Sequence, residues 1–269
     1  MEIDRIRKEI DQIDDGILNL LNKRMDLVRK VGELKSASNS PIYRPEREKG
    51  IIDRLSSKTI AVDGLLNRAA VEAIFLEIFA IARNIELPEK IAFLGPEGSF
   101  THQAAESRFG AMSEYMPLSS IKAVFEAIDT KRARFGVVPL ENNQEGVVNE
   151  TIDFLGLFDL HIVAEVPVPI NFAFATKEDN VEDVKRIFSK DIAFKQCKKF
   201  LDDTFTDSEM ELIPVNSTSR AVKMALEEKN AAAICSHIAA RSFRLPILFD
   251  NIEDSTDNFT RFLIISQDF

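Results

Sequence analysis

Residues 3–35 read IDRIRKEIDQIDDGILNLLNKRMDLVRKVGELK. Apolar residues fall at Ile3, Ile6, Ile10, Ile13, Ile17, Leu20, Leu21, Leu27, Val28, Val31 and Leu34, spaced by threes and fours. That spacing predicts one amphipathic helix. No proline interrupts it, and Gly16 costs only about 1 kcal/mol against alanine. At about 1.5 Å per residue the helix is roughly 50 Å long. Its stripe therefore needs partner helices, from this chain or from a second copy.

The cations on this helix carry a second signal. Arg24 and Lys35 are eleven residues apart, so they lie about 20° from alignment and about 16 Å apart along the axis. Two long side chains from those points can hold both ends of one small dianion. Arg7 lies about 100° around the helix and about 25 Å from Arg24, so it reaches the same ligand only across a dimer interface. Solvated surface charge is the plainer reading of all three, and spacing alone leaves both open.

Further along, SASNSP (36–41) reads as a loop. Pro45 suits the first turn of a second, short helix running to Ser57. Asp63 is a plausible N-cap for a third helix, from about Gly64 to Glu86. Leu87-Pro88-Glu89-Lys90 then acts as a linker. From Ile91 the texture changes. IAFLG, FGVVPL (135–140), HIVAEVPV (161–168), FAFAT (172–176) and RFLIIS (261–266) read as strands. Between them lie helical stretches near 101–109, 120–131, 146–157, 181–188, 193–202, 217–229 and 236–243. The alternation predicts an α/β domain with a largely parallel sheet.

The totals bound the function. At 269 residues two domains are expected. A net charge of −10 argues against nucleic acid and anionic membrane as partners, and any anionic substrate must be met by locally placed Arg and Lys. Cys197 and Cys235 are isolated, and His102, His161 and His237 show no ligand spacing, so neither a metal nor another cofactor is expected. The charged start has no signal-peptide pattern, and a cytoplasmic protein is expected.

Polar clusters mark element ends. GPEGSFT (95–101) joins a strand to a helix whose free N–H groups suit an anion, although a turn with a cap and no ligand fits equally well. ENNQEG (141–146) follows an apolar strand at the end where open α/β sheets bind ligands. STSR (217–220) starts a helix, and DNFTRF (257–262) precedes the final strand. Taken singly each is more often structural. Together they suit a small polar ligand in a cleft.

These motifs also carry a resemblance. Residues 1–88 resemble the all-helical class of chorismate mutase, and GPEGSFT, VVPLENNQEG (137–146), STSRA (217–221) and NFTRF (258–262) resemble those of prephenate dehydratase. The order is that of the bifunctional chorismate mutase–prephenate dehydratase family. The resemblance implies an α + α/β chain. A three-helix mutase domain (1–88) forming an intertwined helical homodimer precedes a two-lobed dehydratase domain (91–269) similar to type 2 periplasmic-binding-like folds. Its first lobe spans about 91–167 plus 250–269, its second about 168–249.

The resemblance also implies roles. In the mutase half it places Arg24, Lys35, Arg47, Glu48 and Glu86 at chorismate, with Arg7 crossing from the other subunit and Lys35 and Glu86 flanking the ether oxygen. Arg44 and Ala82 occupy contact positions where some mutases have Asp and Ser. In the dehydratase half, Thr260 matches a threonine treated as essential, with a partner such as Glu141. Substrate contacts are implied at Ser99, Thr101, Glu141, Asn142, Asn143, Ser217, Thr218, Arg261 and Phe262. Asn143 replaces the more usual Ser or Thr, and Asn171 and Lys190 stand where many dehydratases have His. No counterpart of the family's regulatory ACT domain is expected, and with it no inhibition by phenylalanine. A rival from another class is a two-lobed small-anion sensor on a helical dimeriser. No basic DNA-reading helix supports it.

Overall fold

The computed structural model describes residues 2–36, 45–86, 90–205, 210–255 and 257–267; the side chains of Lys35, Ser36, Pro45 and Glu86 also lie outside the described set. Two compact units emerge. One comprises residues 1–89 with 109–114, the other 90–108 with 115–269.

The first unit is built on three helices, α1 (Glu2–Ser36), α2 (Pro45–Ala61) and α3 (Arg68–Glu86). Pro45 opens α2 because its missing N–H costs nothing in a first turn. The helix runs a turn past Ser57. α3 starts later than Asp63 suggested. Asn67 is the group that caps it, its Oδ1 accepting from Ala70 N at 2.9 Å. Asp63 instead takes a left-handed conformation (φ 49°) after α2, and Gly64 N closes the turn on Thr59 O at 2.8 Å. Both α1 and α2 pack on α3, where Val71, Phe79 and Ala82 are buried. Within one chain the stripe of α1 stays open: Ile3, Ile6, Ile10, Ile13, Ile17, Leu20, Leu27 and Leu34 are all exposed.

The second unit holds two mixed sheets. β1 (Lys90–Leu94), β2 (Glu114–Leu118), β3 (Phe135–Asn142), β5 (His161–Pro169) and β11 (Phe259–Ser266) lie in the order β2-β1-β3-β11-β5, with the short β4 (Gly146–Val147) on β3. The second sheet orders β6 (Ala173–Thr176), β7 (Arg186–Ser189), β8 (Glu211–Pro214), β9 (Ala231–Cys235) and β10 (Ile247–Phe249) as β10-β6-β9-β7-β8.

A largely parallel sheet is therefore not what forms. β1–β3, β7–β8 and β7–β9 are parallel, but β11 runs antiparallel to both β3 and β5, as β6 does to β9. The reason is topological: β5 and β11 pair in the first sheet while the chain between them builds the second. The stretch 181–188 is not a helix. It is a 3₁₀ turn (Val181–Asp183) followed by β7, whose Ile187 and Phe188 are buried. Core clusters around Phe125 and Leu263 in one sheet, and around Phe174, Phe188 and Ile234 in the other, hold α4 (Phe100–Phe109), α5 (Ile121–Asp129), α6 (Asn149–Leu157), α7 (Asp191–Gln196), α8 (Lys198–Thr204), α9 (Thr218–Glu227) and α10 (His237–Phe243) around them.

Candidate functional site

In the helical unit Arg24 is half-buried. Its Cζ lies 5.7 Å from the centroid of the Phe79 ring on α3, so the guanidinium faces α3 with an aromatic wall behind it. Glu48 of α2 forms an ion pair with buried Arg83 of α3. Sequence reasoning missed Arg83; an arginine on an apolar helix face was its only signal. A charge this buried is held by such a partner and is costly to strand. Ala82 is buried beside it, while Arg7 and Arg47 are exposed. Lys35 and Glu86 sit on α1 and α3 with side chains outside the described set, and Arg44 lies outside the described residues.

The α/β unit has a cleft of about 470 Å³ between its two sheets. One wall is the first sheet. Strand alternation there decides which side chains enter. Thr260 pairs with Asn142, and Arg261 with Glu141; a bulge then sets Phe262 opposite Pro139. The bulge lets both Asn142 and Pro139, three residues apart, line the cleft with Thr260 and Phe262. Arg261 and Glu141 point to the other face, where Arg261 pairs with Glu141 and with Glu165, the latter at 3.3 Å. Those partners, Glu141's hydrogen bond foremost and then the charge of Glu165, raise the pKa of Arg261 further.

The partner of Thr260 is accordingly Asn142, not Glu141. Asn142 Nδ2 donates to Thr260 Oγ1 at 2.9 Å and to Asn258 Oδ1 at 3.0 Å. Its Oδ1 accepts from the backbone N–H of Gln144 and Glu145 at 2.9 and 3.0 Å. That turn carries Glu145, which lines the cleft and which the sequence offered only as part of a polar cluster. Asn143 is a staple outside the lining: its Oδ1 accepts from Phe259 N at 3.1 Å, and its amide binds Asp257 O.

The other positions come from helix starts and strand ends. Ser99 lines the cleft, donates to Leu94 O and accepts from His102 N, both at 3.2 Å. Ser217 caps α9 by accepting from Arg220 N at 3.1 Å. Buried Thr101 and Thr218 sit in the first turns of α4 and α9 and also line it. Lys190, directly after β7, is exposed and lines the cleft. Asn171 is bound to Asn251 at 2.7 Å and is not part of the lining. The cleft thus joins Ser99, Thr101, Asn142, Ser217, Thr218, Thr260 and Phe262, and leaves out Glu141, Asn143 and Arg261.

Thiol chemistry has no place here. Both cysteines are fully buried, and burial pushes the Cys235 pKa up to about 12. Among the described residues no group of His, Cys, Asp and Glu could hold a metal ion.

A helical unit with a half-buried Arg24 and a buried Glu48–Arg83 pair, joined to a two-sheet unit whose cleft is lined by hydroxyls and amides, has the make-up of a two-module protein for small polar ligands. Residues 6–87 match the family Chorismate mutase type II, and residues 91–269 match Prephenate dehydratase. The bifunctional chorismate mutase/prephenate dehydratase of Aquifex aeolicus is 42% identical over 267 residues, covering 99% of this chain and 73% of that protein. The namesake from Pseudomonas aeruginosa is 35% identical over 273 residues, 98% of this chain and 73% of its own. Among solved structures, the prephenate dehydratase of Arthrobacter aurescens in complex with L-Phe superposes with a TM-score of 0.59 at 31% identity, over 66% of this chain and 60% of that one. The prephenate dehydratase of Staphylococcus aureus gives 0.56 at 27% identity, over 66% and 67%. The chain belongs to the family of bifunctional chorismate mutase–prephenate dehydratases.

Proposed function

We propose that the chain converts chorismate to prephenate and prephenate to phenylpyruvate, CO₂ and water, two steps of phenylalanine biosynthesis. The observation that carries the reading is the occurrence of both family matches in one chain, in the order of its relatives, with Thr260 held by Asn142 at 2.9 Å inside a cleft.

The first reaction is a unimolecular rearrangement. It needs no nucleophile, only a dianion folded into its reactive shape and charge stabilised on the ether oxygen. Arg24 and Lys35 would clamp the carboxylates, and Lys35 and Glu86 would flank the oxygen. Arg44, Arg47 and Glu48 complete the set, with the Glu48–Arg83 pair keeping α2 against α3. Arg7 serves the partner's site in a dimer that covers the exposed stripe of α1.

In the second reaction the bond from the ring to its carboxylate breaks. Its electron pair moves into the ring, and the ring hydroxyl leaves with an added proton as water. The proton donor is the main requirement, because hydroxide leaves poorly. Since Thr260 Oγ1 accepts from Asn142, its own O–H is left to point at the departing hydroxyl. Glu145, the carboxylate in the lining, is placed to resupply a proton through solvent. No described helix is long and apolar enough to cross a membrane, in keeping with a cytoplasmic enzyme.

The test is a coupled assay. Purified protein given chorismate should accumulate phenylpyruvate, read by its absorbance. Binding of chorismate or prephenate without turnover would favour the sensor reading instead.

A further inference from the structure

Prephenate is a dianion, yet the dehydratase cleft is poor in cations. Among the described residues lining it, Lys190 is the one cation and Glu145 the one carboxylate. Arg261, adjacent to Thr260 in sequence, is turned to the opposite face and committed to Glu141 and Glu165. The mount of Lys190 is firm. It follows β7, which is flanked on both sides by parallel strands, and buried Ser189 before it donates to Ile234 O at 2.6 Å. The carbonyl of Lys190 accepts from Ala193 N at 3.0 Å, so its backbone is fixed as the start of α7.

Thr260 lines the cleft from the first sheet, and Lys190 lines it from the end of β7 in the second. Prephenate has matching polarity: its hydroxyl is at one end of the ring, and both carboxylates hang from the other. With Thr260 at the hydroxyl, the Lys190 wall meets the carboxylate end. The two carboxylates are not equivalent. A cation paired with the departing carboxylate would stabilise charge that must flow into the ring, holding the ground state more tightly than the transition state. A cation on the carboxylate that is retained binds both states alike.

Resting on the dehydratase reading above, we infer that Lys190 is the substrate-binding cation of the cleft and grips the pyruvyl carboxylate, the one that survives into phenylpyruvate. The bound ligand covers the ammonium and lowers the local dielectric, which strengthens the pair relative to the open cleft.

The experiment uses the full chain with Lys190→Met and Lys190→Arg. Steady-state rates are measured with prephenate, and phenylpyruvate affinity by calorimetric titration. Loss of one charge-assisted hydrogen bond should raise both the KM for prephenate and the Kd for phenylpyruvate by about tenfold to a hundredfold in Lys190→Met, with kcat changed less than about threefold. Lys190→Arg should recover most of the affinity. Mutase kcat/KM should be unchanged in both, which reports intact folding. Unchanged KM and Kd in Lys190→Met overturn the inference, as does a collapse of kcat at constant KM, the mark of a proton donor. If the wild-type chain fails to turn over prephenate while phenylpyruvate affinity still depends on Lys190, the dehydratase reading falls and the carboxylate grip stands.

Discussion

His102 packs face to face with Phe93 at 4.7 Å, edge-on to Tyr115 at 5.0 Å, and accepts from Gly98 N through Nδ1 at 3.2 Å. An accepting Nδ1 disfavours the charged ring. Burial, the largest cause, lowers its pKa from 6.5; the charge of Glu97 opposes this and that of Arg241 adds to it. The unfolded chain thus binds the proton more readily, and this contribution to stability is intact above about pH 6.5 and is lost as pH falls toward the folded pKa. Urea titrations between pH 7 and 5 should show the wild type losing stability faster than His102→Gln, by at most about 1.4 kcal/mol per pH unit. If Thr260 is the proton donor proposed above, Thr260→Val should lower dehydratase kcat by about a hundredfold or more and leave mutase activity intact; loss of both activities would mean misfolding. The sequence named Thr260 and Asn142, because their motif stands at a strand end. Glu141, offered as an example of a partner, pairs with Arg261 instead, because which neighbours share a face follows from β3–β11 register, and register belongs to the sheet, not to the motif.

At the scale of the element, the turn 95–99 ties the two sheets' helices together. Ser236 Oγ donates to Gly98 O at 2.7 Å, and Ser219 Oγ binds Glu97 O. Gly98 has φ +80°, and a Cβ there would meet Ser219 Oγ at 2.9 Å and Ala239 Cα at 3.0 Å. Gly98→Ala should cost about 1–3 kcal/mol and weaken prephenate binding, seen as a lower melting temperature with a raised KM. Elements with a regular apolar period, α1 above all, were legible. β9 was not: AAAIC has no polar–apolar alternation to mark it, and only its burial between β6 and β7 makes it a strand. Nor was β7, whose VKRIF context mimics a helical stripe. The start of α3 was displaced because Asn67 competes with Asp63 for the cap and only Asn67 makes the bond.

For the molecule as a whole, the open stripe of α1 sets the expected state. Ten large apolar side chains of this helix, Ile3 through Leu34, are exposed in one chain, the kind of exposed apolar face that marks an interaction site. On the dimer proposed above, Ile10→Glu combined with Ile17→Glu should yield a monomer by size-exclusion chromatography, with mutase activity lost if Arg7 serves the partner's site and dehydratase KM kept. A dimer persisting with full mutase activity would place the interface elsewhere. The position of β11 has a consequence for biogenesis. A ribosome that has made everything before residue 258 has made β3 and β5 but not the strand that separates them. Their facing edges stay unpaired until then, so a stalled or clipped chain of that length is the species most exposed to edge-to-edge aggregation and to chaperone capture.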